Sequence, residues 1–332
     1  MSWKCYSAIF KAESPVHIGY RQIGILKTTR YYITGRAMWG AITANLTRAL
    51  FSNPDPEDYQ EVGNFVKENI RTTYFYPAVK KDETGSENLS KYEVNGYSTF
   101  LPEYTDKGLM FGNESKDWFE QTFVNSFVST AIETQTKTAE EGSLHEIEYI
   151  RNKVNLAGKV IQVYWVGYLF VNYSANEKIK LSEKEDDVVI NFNNGSVQRN
   201  TSLKNVLDLI FVGGERNYGF GRLRLIPDSS NFKTEDQRLF KKFPLKLDSV
   251  KNSGKAMIEI DSTSIALAHV DIGDWLNEQF MGDIEPLVGR EWSEKGSGQK
   301  ISQTVKICIT PGSKFTSDKS FSVGNFGIWE VI

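Results

Sequence analysis

A glycine-rich segment with two arginines is the stretch whose residue types and spacing most plainly suggest chemistry. Residues 213–222 are GGERNYGFGR. Glycine permits positive φ and a close approach by a polyanion, and arginine makes planar, bidentate contacts with phosphate. The segment therefore predicts either a loop that holds a phosphodiester backbone or a tight turn with solvated arginines. Its candidate residues for contact with such a backbone are Gly213, Gly214, Arg216, Asn217, Tyr218, Gly219, Gly221 and Arg222.

A basic N-terminal segment is a second candidate for binding a polyanion. Residues 1–48 contain seven basic residues and one acidic residue, a surplus of six positive charges. The net charge of the chain is -3, so the remainder carries nine net negative charges. Such an asymmetry favours one polyanion-binding face, and chance clustering is the alternative. The candidate RNA-binding residues here are Arg21, Lys27, Arg30 and Arg36.

Three tyrosines lie among these charges and are candidates for stacking on unpaired bases. They are Tyr20, Tyr31 and Tyr218. Packing in the core is the competing role for Tyr31. Tyr218 lies inside a glycine-rich segment, so we expect it to be exposed.

Catalytic groups are sparse. His17, beside the basic segment, is a weak candidate for a general base, although a lone histidine is more often a hydrogen-bonded or RNA-contacting residue. His145, Glu146 and Glu148 suggest a metal site, but His145 and Glu146 would point to opposite faces of a strand. No catalytic triad, Walker motif or nucleophile elbow occurs. We expect no cofactor and no metal.

Composition favours a cytoplasmic protein with a substantial core. The chain has 332 residues, of which 40% are hydrophobic, enough for one large domain or two modest ones. Cys5 and Cys308 are too far apart to form a metal motif or a disulfide framework. No signal peptide and no membrane-spanning run is predicted.

Periodicity predicts alternating strands and helices in the first two thirds of the chain. Thr34 is a plausible N-cap of the first helix, and Pro54 opens the second. A helix is predicted immediately before the glycine-rich segment, which would make that segment a helix-to-strand connection and exclude a dinucleotide fingerprint. Residues 80–117 are predicted to be an insertion with short strands, and residues 174–200 a charged, mobile one. The remaining predicted strands and helices are 3–11 (strand), 20–33 (loop or hairpin), 72–79 (strand), 117–127 (helix), 128–133, 144–150, 160–173 and 223–226 (strands).

This order predicts an α+β fold. Residues 1–228 would form a ferredoxin-like βαββαβ domain, the RRM-type arrangement, with insertions. A smaller β-rich half, 229–332, would follow, with a degenerate second ferredoxin-like unit as one interpretation. Predicted there are strands at 256–260, 303–310 and 326–332, a short helix at 272–280, and a glycine-rich loop at 289–298.

Four segments, in order, resemble the RAMP superfamily of CRISPR-associated RNA-binding proteins over about residues 3–226. They are SPVHIG (14–19), YITGRAMWGA (32–41), the strand–excursion–strand stretch 130–148, and GGERNYGFGRL (213–223). The last, together with EPLVGRE (285–291), resembles the subunits that cap the 5′ handle of the guide in type III complexes, the III-D kind in particular.

The resemblance implies a CRISPR guide-RNA-binding subunit that contacts other RAMP backbone subunits and the large signalling subunit, with no membrane partner. The excursion 134–143 would act as a thumb. Target-cleaving relatives carry an aspartate in the loop after the first strand, but residues 20–34 contain no Asp or Glu, which favours a non-catalytic role. The alternative is a RAMP endoribonuclease that processes precursor RNA through His17 or cleaves target RNA. A scaffolding subunit with a degenerate RNA face is a third possibility.

Overall fold

The computed structural model describes most of the chain. The described residues are 3–84, 89–173, 178–185, 187–195, 197–227, 232, 234–235, 238–247, 256–262, 264–273, 279–293, 296–301 and 305–332. The helices are α1 Gly35–Leu50, α2 Pro56–Asn69, α3 Lys81–Thr84, α4 Lys116–Phe123 and α5 Leu203–Leu207, with 3-10 turns at Arg216–Tyr218 and Asn325–Gly327. No helix among these residues has the length and apolar character needed to cross a membrane.

The strands are numbered in chain order. Those up to the end of the glycine-rich segment are β1 Trp3–Ala12, β2 Gly19–Ile23, β3 Leu26–Thr29, β4 Ile70–Thr72, β5 Tyr76–Lys80, β6 Glu93–Val94, β7 Tyr97–Thr99, β8 Pro102–Thr105, β9 Gly108–Phe111, β10 Glu114–Ser115, β11 Val124–Ser129, β12 His145–Ile150, β13 Lys153–Leu156, β14 Lys159–Asn172, β15 Ile179–Lys184, β16 Asp187–Asn194, β17 Val197–Ser202, β18 Leu209–Phe211 and β19 Arg222–Leu225. The others are β20 Thr234–Glu235, β21 Arg238–Leu239, β22 Phe243–Lys246, β23 Met257–Ile260, β24 Val270–Asp271, β25 Phe280–Met281, β26 Ile284–Leu287, β27 Arg290–Ser293, β28 Gly296–Ile301, β29 Lys306–Ile309, β30 Lys314–Phe315, β31 Lys319–Val323 and β32 Trp329–Val331.

The central sheet has the ferredoxin-like order. Its main strands lie side by side as β19, β1, β14 and β5, and every neighbouring pair is antiparallel. Numbered along the βαββαβ unit, this is the order 4-1-3-2. Helices α1 and α2 connect the first strand to the second, and α5 lies between the third and the fourth. The predicted α+β, ferredoxin-like class is confirmed.

Both faces of the central sheet are buried, which explains the apolar character of its strands. Along β1, Tyr6, Ala8 and Phe10 belong to the core formed with α1 and α2, whereas Cys5 and Ile9 belong to a second core. Successive side chains of a strand point to opposite faces, so one strand contributes to both cores. The second core is completed by side chains of the C-terminal half, including Phe243, Ile258, Phe321 and Trp329.

The first helix begins where the sequence predicted. The Thr34 hydroxyl accepts a hydrogen bond from the Ala37 backbone N–H at 3.4 Å, which satisfies one of the free donors of the first turn. The second helix is held by a capping box between Asp55 and Asp58, with Pro56 as its first residue. The predicted start at Pro54 is two residues too early.

The prediction of a mobile insertion at 174–200 was wrong for its described residues. Strands β15, β16 and β17 form an antiparallel sheet. The apolar side chains of Ile179, Val188, Ile190 and Phe192 are buried in the first core, and the Phe192 ring lies 4.9 Å from that of Phe51. The alternation of these apolar residues with Lys, Glu and Asn made the segment resemble a solvated loop. Residues 174–177, 186 and 196 lie outside the described residues.

The predicted insertion at 80–117 has the short strands expected of it, including β9. Strand β7 pairs with β5 and extends the central sheet, and β6 pairs with β7. Helix α4 then packs Phe119 between Phe111 and Phe123, with ring centroids 4.2 and 4.8 Å apart. The insertion is thus anchored by aromatic packing between β9 and α4.

The C-terminal half is β-rich, as predicted. Eight strands form one sheet in the order β21, β22, β23, β31, β32, β24, β29 and β26. Within the predicted glycine-rich loop at 289–298, the described residues of β27 and β28 pair as antiparallel strands, and residues 294–295 lie outside the described residues. Most of the helix predicted at 272–280 lies outside the described residues, since 274–278 are not described. The domain boundary at 228 stays a prediction.

Candidate nucleic-acid interface

The glycine-rich segment is the loop of a β-hairpin. Helix α5 ends at Leu207, and β18 follows it and pairs with β19. The backbone N–H of Val212 donates to the Gly221 carbonyl at 2.9 Å and closes the loop. The predicted helix-to-strand connection was therefore wrong, because the strand Leu209–Phe211 lies between the helix and the loop. A run of three apolar residues is too short to predict a strand. A loop that leads into a strand still lacks the helix that a dinucleotide fingerprint requires.

Two loop glycines are required by backbone packing. Gly213 and Gly221 have φ of 74° and 84°. A β-carbon on Gly213 would lie 2.1 Å from the His17 carbonyl oxygen, and one on Gly221 would lie 2.0 Å from the Val212 carbonyl oxygen. The N–H of Gly214 donates to the His17 carbonyl at 3.0 Å. These contacts join the glycine-rich loop to the segment 14–19, and both are among the four stretches that carry the family resemblance.

His17 is enclosed by this packing. The residue is 5% exposed, and Nδ1 donates to the Glu148 carbonyl at 2.6 Å. The carboxylate of Glu148 in turn accepts from the Thr29 N–H at 3.2 Å. The imidazole therefore holds the segment 14–19 to the β3 and β12 strands, a packing role that leaves it little access to a substrate.

The part of the loop that faces solvent is the turn Arg216–Tyr218. Arg216, Asn217 and Tyr218 are all exposed, which agrees with the expectation for Tyr218. Its ring lies 5.4 Å from that of Phe127, and its hydroxyl lies 3.1 Å from His145 Nε2. Gly219 follows with a φ of 82° and nothing within 4 Å of a β-carbon position, so this side of the loop is open.

Several of the predicted cations have carboxylate partners. Lys27 pairs with Glu215 at 2.7 Å, which ties the β2–β3 hairpin to the glycine-rich loop. Arg222 pairs with Glu13 at 2.7 Å, and Arg224 shares that carboxylate at 2.6 Å. The Arg224 hydrogen bond is the main reason why the pKa of Glu13 is lowered. Much of the positive charge of Arg222 is therefore already balanced by the Glu13 carboxylate.

Arg30 belongs to a buried network between the two halves. Its guanidinium donates to Glu285 at 2.6 Å and to the Tyr32 hydroxyl at 3.0 Å, and His269 also contacts Glu285. Burial alone would raise the pKa of Glu285, but the hydrogen bonds from His269 and Arg30 outweigh it and lower the pKa to about 2. Arg30 thus joins the β2–β3 hairpin to β26, and its role in RNA binding stays a prediction.

Tyr20 and Arg21 lie at the exposed surface of the β2–β3 hairpin. Tyr20 is 40% exposed. The guanidinium of Arg21 lies 4.6 Å from the ring centroid and that of Arg30 lies 4.5 Å away. Tyr31, by contrast, packs against Phe111 and Phe119, so core packing is its role in this structure.

Arg36 lies apart from the glycine-rich loop, in a cleft between the two halves. The cleft encloses about 480 Å³. Sequence reasoning identified Tyr20, Arg30 and Arg36 in its wall but missed Lys67, Lys306 and Phe326. These three come from α2, β29 and the turn before β32, and no sequence motif connects them. The predicted site therefore divides into the loop region around Tyr218 and this cleft.

No group of three or more His, Cys, Asp or Glu side chains within the described ranges is placed to hold a metal ion. His145, one of the residues considered for such a site, instead hydrogen-bonds Tyr218 and the Ser143 carbonyl.

Comparison with known proteins gives a family match. The model of the RAMP superfamily matches residues 9–224, about two thirds of the chain. No curated protein sequence matches. Among solved structures, a chain of the type III-B Cmr-beta complex bound to cognate target RNA and AMPPnP is 11% identical, with a TM-score of 0.46, covering 93% of this chain and 85% of that one. A chain of oligomeric Cmr4 from Pyrococcus furiosus is 13% identical, with a TM-score of 0.29, covering 71% of this chain and 100% of that one. By the extent of the family match, the chain belongs to the RAMP superfamily.

Proposed function

We propose that this protein is a CRISPR RNA-binding subunit of a type III RNA-guided effector complex and that it holds the repeat-derived 5′ handle of the guide RNA. Family membership supports a CRISPR-associated, RNA-binding role. The observation that carries the proposal is the glycine-rich loop, whose backbone is locked onto the segment 14–19 while its Arg216–Tyr218 turn stays exposed.

The loop supplies three kinds of contact suited to a single-stranded RNA. Arg216 provides a cation for phosphate. Asn217 offers hydrogen bonds, and the Tyr218 ring gives a surface on which an unpaired base stacks. Because the ends of the loop are fixed by Gly213 and Gly221, these groups are held in place before RNA arrives, which reduces the entropy lost on binding.

The role is proposed to be binding without cleavage. Residues 20–34 contain no carboxylate, and the His17 imidazole is buried and hydrogen-bonded to a backbone carbonyl. Cleavage of RNA needs an accessible base, acid or metal at the scissile phosphate. The rival function is a RAMP endoribonuclease that acts on precursor or target RNA through His17.

The proposed partners are the guide RNA, other RAMP backbone subunits and the large signalling subunit. The excursion 134–143 is an exposed extension of the β11–β12 hairpin. It is proposed to act as a thumb that hooks a neighbouring subunit or separates the handle from the spacer.

The salt dependence of RNA binding tests the proposal. Binding of a fluorescent repeat-derived RNA to the wild type and to Arg216→Ala is measured by anisotropy over a range of salt concentrations. Each phosphate contact to a single strand contributes about 0.7 to the slope of log affinity against log salt. Arg216→Ala should therefore weaken binding and reduce the slope by about 0.7. Lys159→Ala, an exposed lysine at the β13–β14 turn, serves as the control and should change neither.

Two results would contradict the proposal. If Arg216→Ala, alone and combined with Arg222→Ala, leaves affinity and slope unchanged, the protein is a scaffold with a degenerate RNA face. If the purified protein cleaves repeat or target RNA specifically and His17→Ala abolishes this cleavage, the endoribonuclease is correct.

A further inference from the structure

The base of the β11–β12 hairpin meets the glycine-rich loop on one face of its sheet. Phe127 lies opposite Ile147 across the two strands, and Ile147 lies opposite Lys27 of β3. Residues directly opposite each other in a sheet point to the same face. Lys27 pairs with Glu215 of the loop, and Phe127 contacts Tyr218. The loop therefore lies across this face of the sheet.

Phe127 and Tyr218 form an exposed aromatic pair. They are 40% and 42% exposed, and their ring centroids lie 5.4 Å apart with an angle of 56° between the planes. This separation is within the range of about 4.5–7 Å in which aromatic rings attract each other. A base inserted between two rings would need about 7 Å, twice a contact distance of about 3.5 Å. Phe127 therefore supports the Tyr218 ring and does not form a sandwich with it.

His145 holds the other end of the same tyrosine. Its Nδ1 donates to the Ser143 carbonyl at 2.9 Å, so Nδ1 carries the proton and Nε2 of the neutral imidazole is an acceptor. Nε2 lies 3.1 Å from the Tyr218 hydroxyl, which therefore donates to it. With its hydroxyl bound to His145 and its ring against Phe127, Tyr218 is fixed at two points while it remains accessible to a base.

The carbonyl that orients His145 belongs to a residue that is itself held. The Ser143 hydroxyl accepts a hydrogen bond from the Ala131 N–H at 3.0 Å and lies 2.8 Å from the Thr130 hydroxyl. These contacts join the two sides of the hairpin just beyond the ends of β11 and β12. A continuous series of hydrogen bonds thus runs from the hairpin through His145 to Tyr218.

We propose that Phe127 and His145 are positioning residues of the RNA site, which hold the Tyr218 ring so that an unpaired base of the RNA stacks on it. The proposal rests on the proposed function and extends the site from one loop to the β11–β12 hairpin. A side chain that is already fixed loses less conformational freedom on binding. For one side chain this difference is equivalent to about twofold to tenfold in affinity.

The test uses two substitutions of His145 that separate its two hydrogen bonds. His145→Asn keeps an N–H for the Ser143 carbonyl but is too short to reach Tyr218, whereas His145→Gln places an amide oxygen near the position of Nε2. Affinity for repeat-derived RNA is measured with the full-length protein. His145→Asn and Phe127→Leu should each weaken binding about threefold to tenfold, and His145→Gln should restore most of the affinity. Val160→Ala removes an apolar side chain that is 73% exposed at the β13–β14 turn and should change nothing.

A double-mutant cycle shows whether His145 acts through the tyrosine. Tyr218→Phe removes only the hydroxyl, so adding His145→Asn to it should cause no further loss of RNA affinity. RNA with 2-aminopurine at successive positions reports stacking as a loss of fluorescence on binding. At one position this loss should be smaller in His145→Asn and Phe127→Leu than in the wild type, and absent in Tyr218→Ala. Circular dichroism confirms that the variants are folded.

The outcomes separate this proposal from the proposed function. If Arg216→Ala and Tyr218→Ala weaken RNA binding while His145→Asn and Phe127→Leu change neither affinity nor fluorescence, the positioning proposal is wrong and the loop function stands. An equal effect of His145→Asn in the wild type and in Tyr218→Phe would also overturn it, because His145 would then act by another route. If Arg216→Ala and Tyr218→Ala both leave RNA affinity unchanged, the loop does not hold RNA and both proposals fall.

Discussion

Two glycines of the loop have nearly the same backbone conformation but different surroundings, which makes them a matched pair for testing why the loop contains glycine. Gly219 has a φ of 82° and Gly221 a φ of 84°. A β-carbon at Gly219 would meet nothing within 4 Å, whereas one at Gly221 would lie 2.0 Å from the Val212 carbonyl oxygen. Alanine at either position should lower the free energy of unfolding by about 1–2 kcal/mol, because it must adopt the left-handed conformation. At Gly221 it must also displace backbone, and overpacking of this kind costs about a further 1–3 kcal/mol.

Gly221→Ala should therefore destabilise the protein by about 2–5 kcal/mol, and Gly219→Ala by about 1–2 kcal/mol. The assay is urea denaturation together with hydrogen exchange of residues 212–222 in both variants. Gly221→Ala should speed exchange at the N–H of Val212 and of Gly221 itself, which donate to the carbonyls of Gly221 and Pro15. Gly219→Ala should leave these two amides protected.

The RNA affinities of the two variants should follow the same order, since Gly221→Ala disturbs the attachment of the loop and Gly219→Ala only its open side. Equal destabilisation by both substitutions would refute the reasoning, because conformational strain alone would then account for the glycines. A larger effect at Gly219 would refute it as well.

Three further predictions concern packing and charge. Arg30→Ala should destabilise the protein by about 3–5 kcal/mol in urea denaturation, because the buried, charged Glu285 carboxylate would lose its main cationic partner. A loss of stability under 1 kcal/mol would show that the network contributes little. Because the pKa of Glu285 is lowered to about 2 from its usual 4.5, the stability that this carboxylate contributes should be complete above pH 4.5 and should decline as the pH falls towards 2. Glu285→Gln should flatten this part of the profile of stability against pH, which is measured by thermal melts. Phe192→Ala should cost about 3–5 kcal/mol, whereas a mobile insertion would tolerate the change without loss of stability.

The elements that sequence reasoning identified in the first two thirds of the chain are those specified by local patterns. The alternating apolar residues of 3–11 predict a strand and the N-cap at Thr34 predicts the start of a helix, each from neighbouring residues alone. The strands within the predicted insertion at 174–200 were missed because its exposed Lys, Glu and Asn side chains obscured an alternating pattern of apolar residues. The strand Leu209–Phe211 was missed because three residues carry too little periodicity to be separated from the helix before them.

Sequence reasoning predicted the types of residue in the candidate site better than their arrangement in space. Tyr218 was expected to be exposed, and it is. His145 and Phe127, which contact it, come from the β11–β12 hairpin, and no local pattern connects them to the glycine-rich loop. The same holds for Lys67 and Phe326, which reach the cleft from elements more than two hundred residues apart in the chain.

The sequence by itself determined that the chain alternates strands and helices in a ferredoxin-like order, that its basic charge is concentrated near the N-terminus, and that its glycine-rich segment belongs to the RAMP pattern. Only the tertiary structure decided which of the predicted cations have carboxylate partners nearby. Lys27 pairs with Glu215 and Arg30 with Glu285, and the Phe326 ring contacts both Arg36 and Lys67. The physical reason is that the strength of an ionic contact depends on distance and burial, and folding sets both by bringing together residues that are remote in sequence.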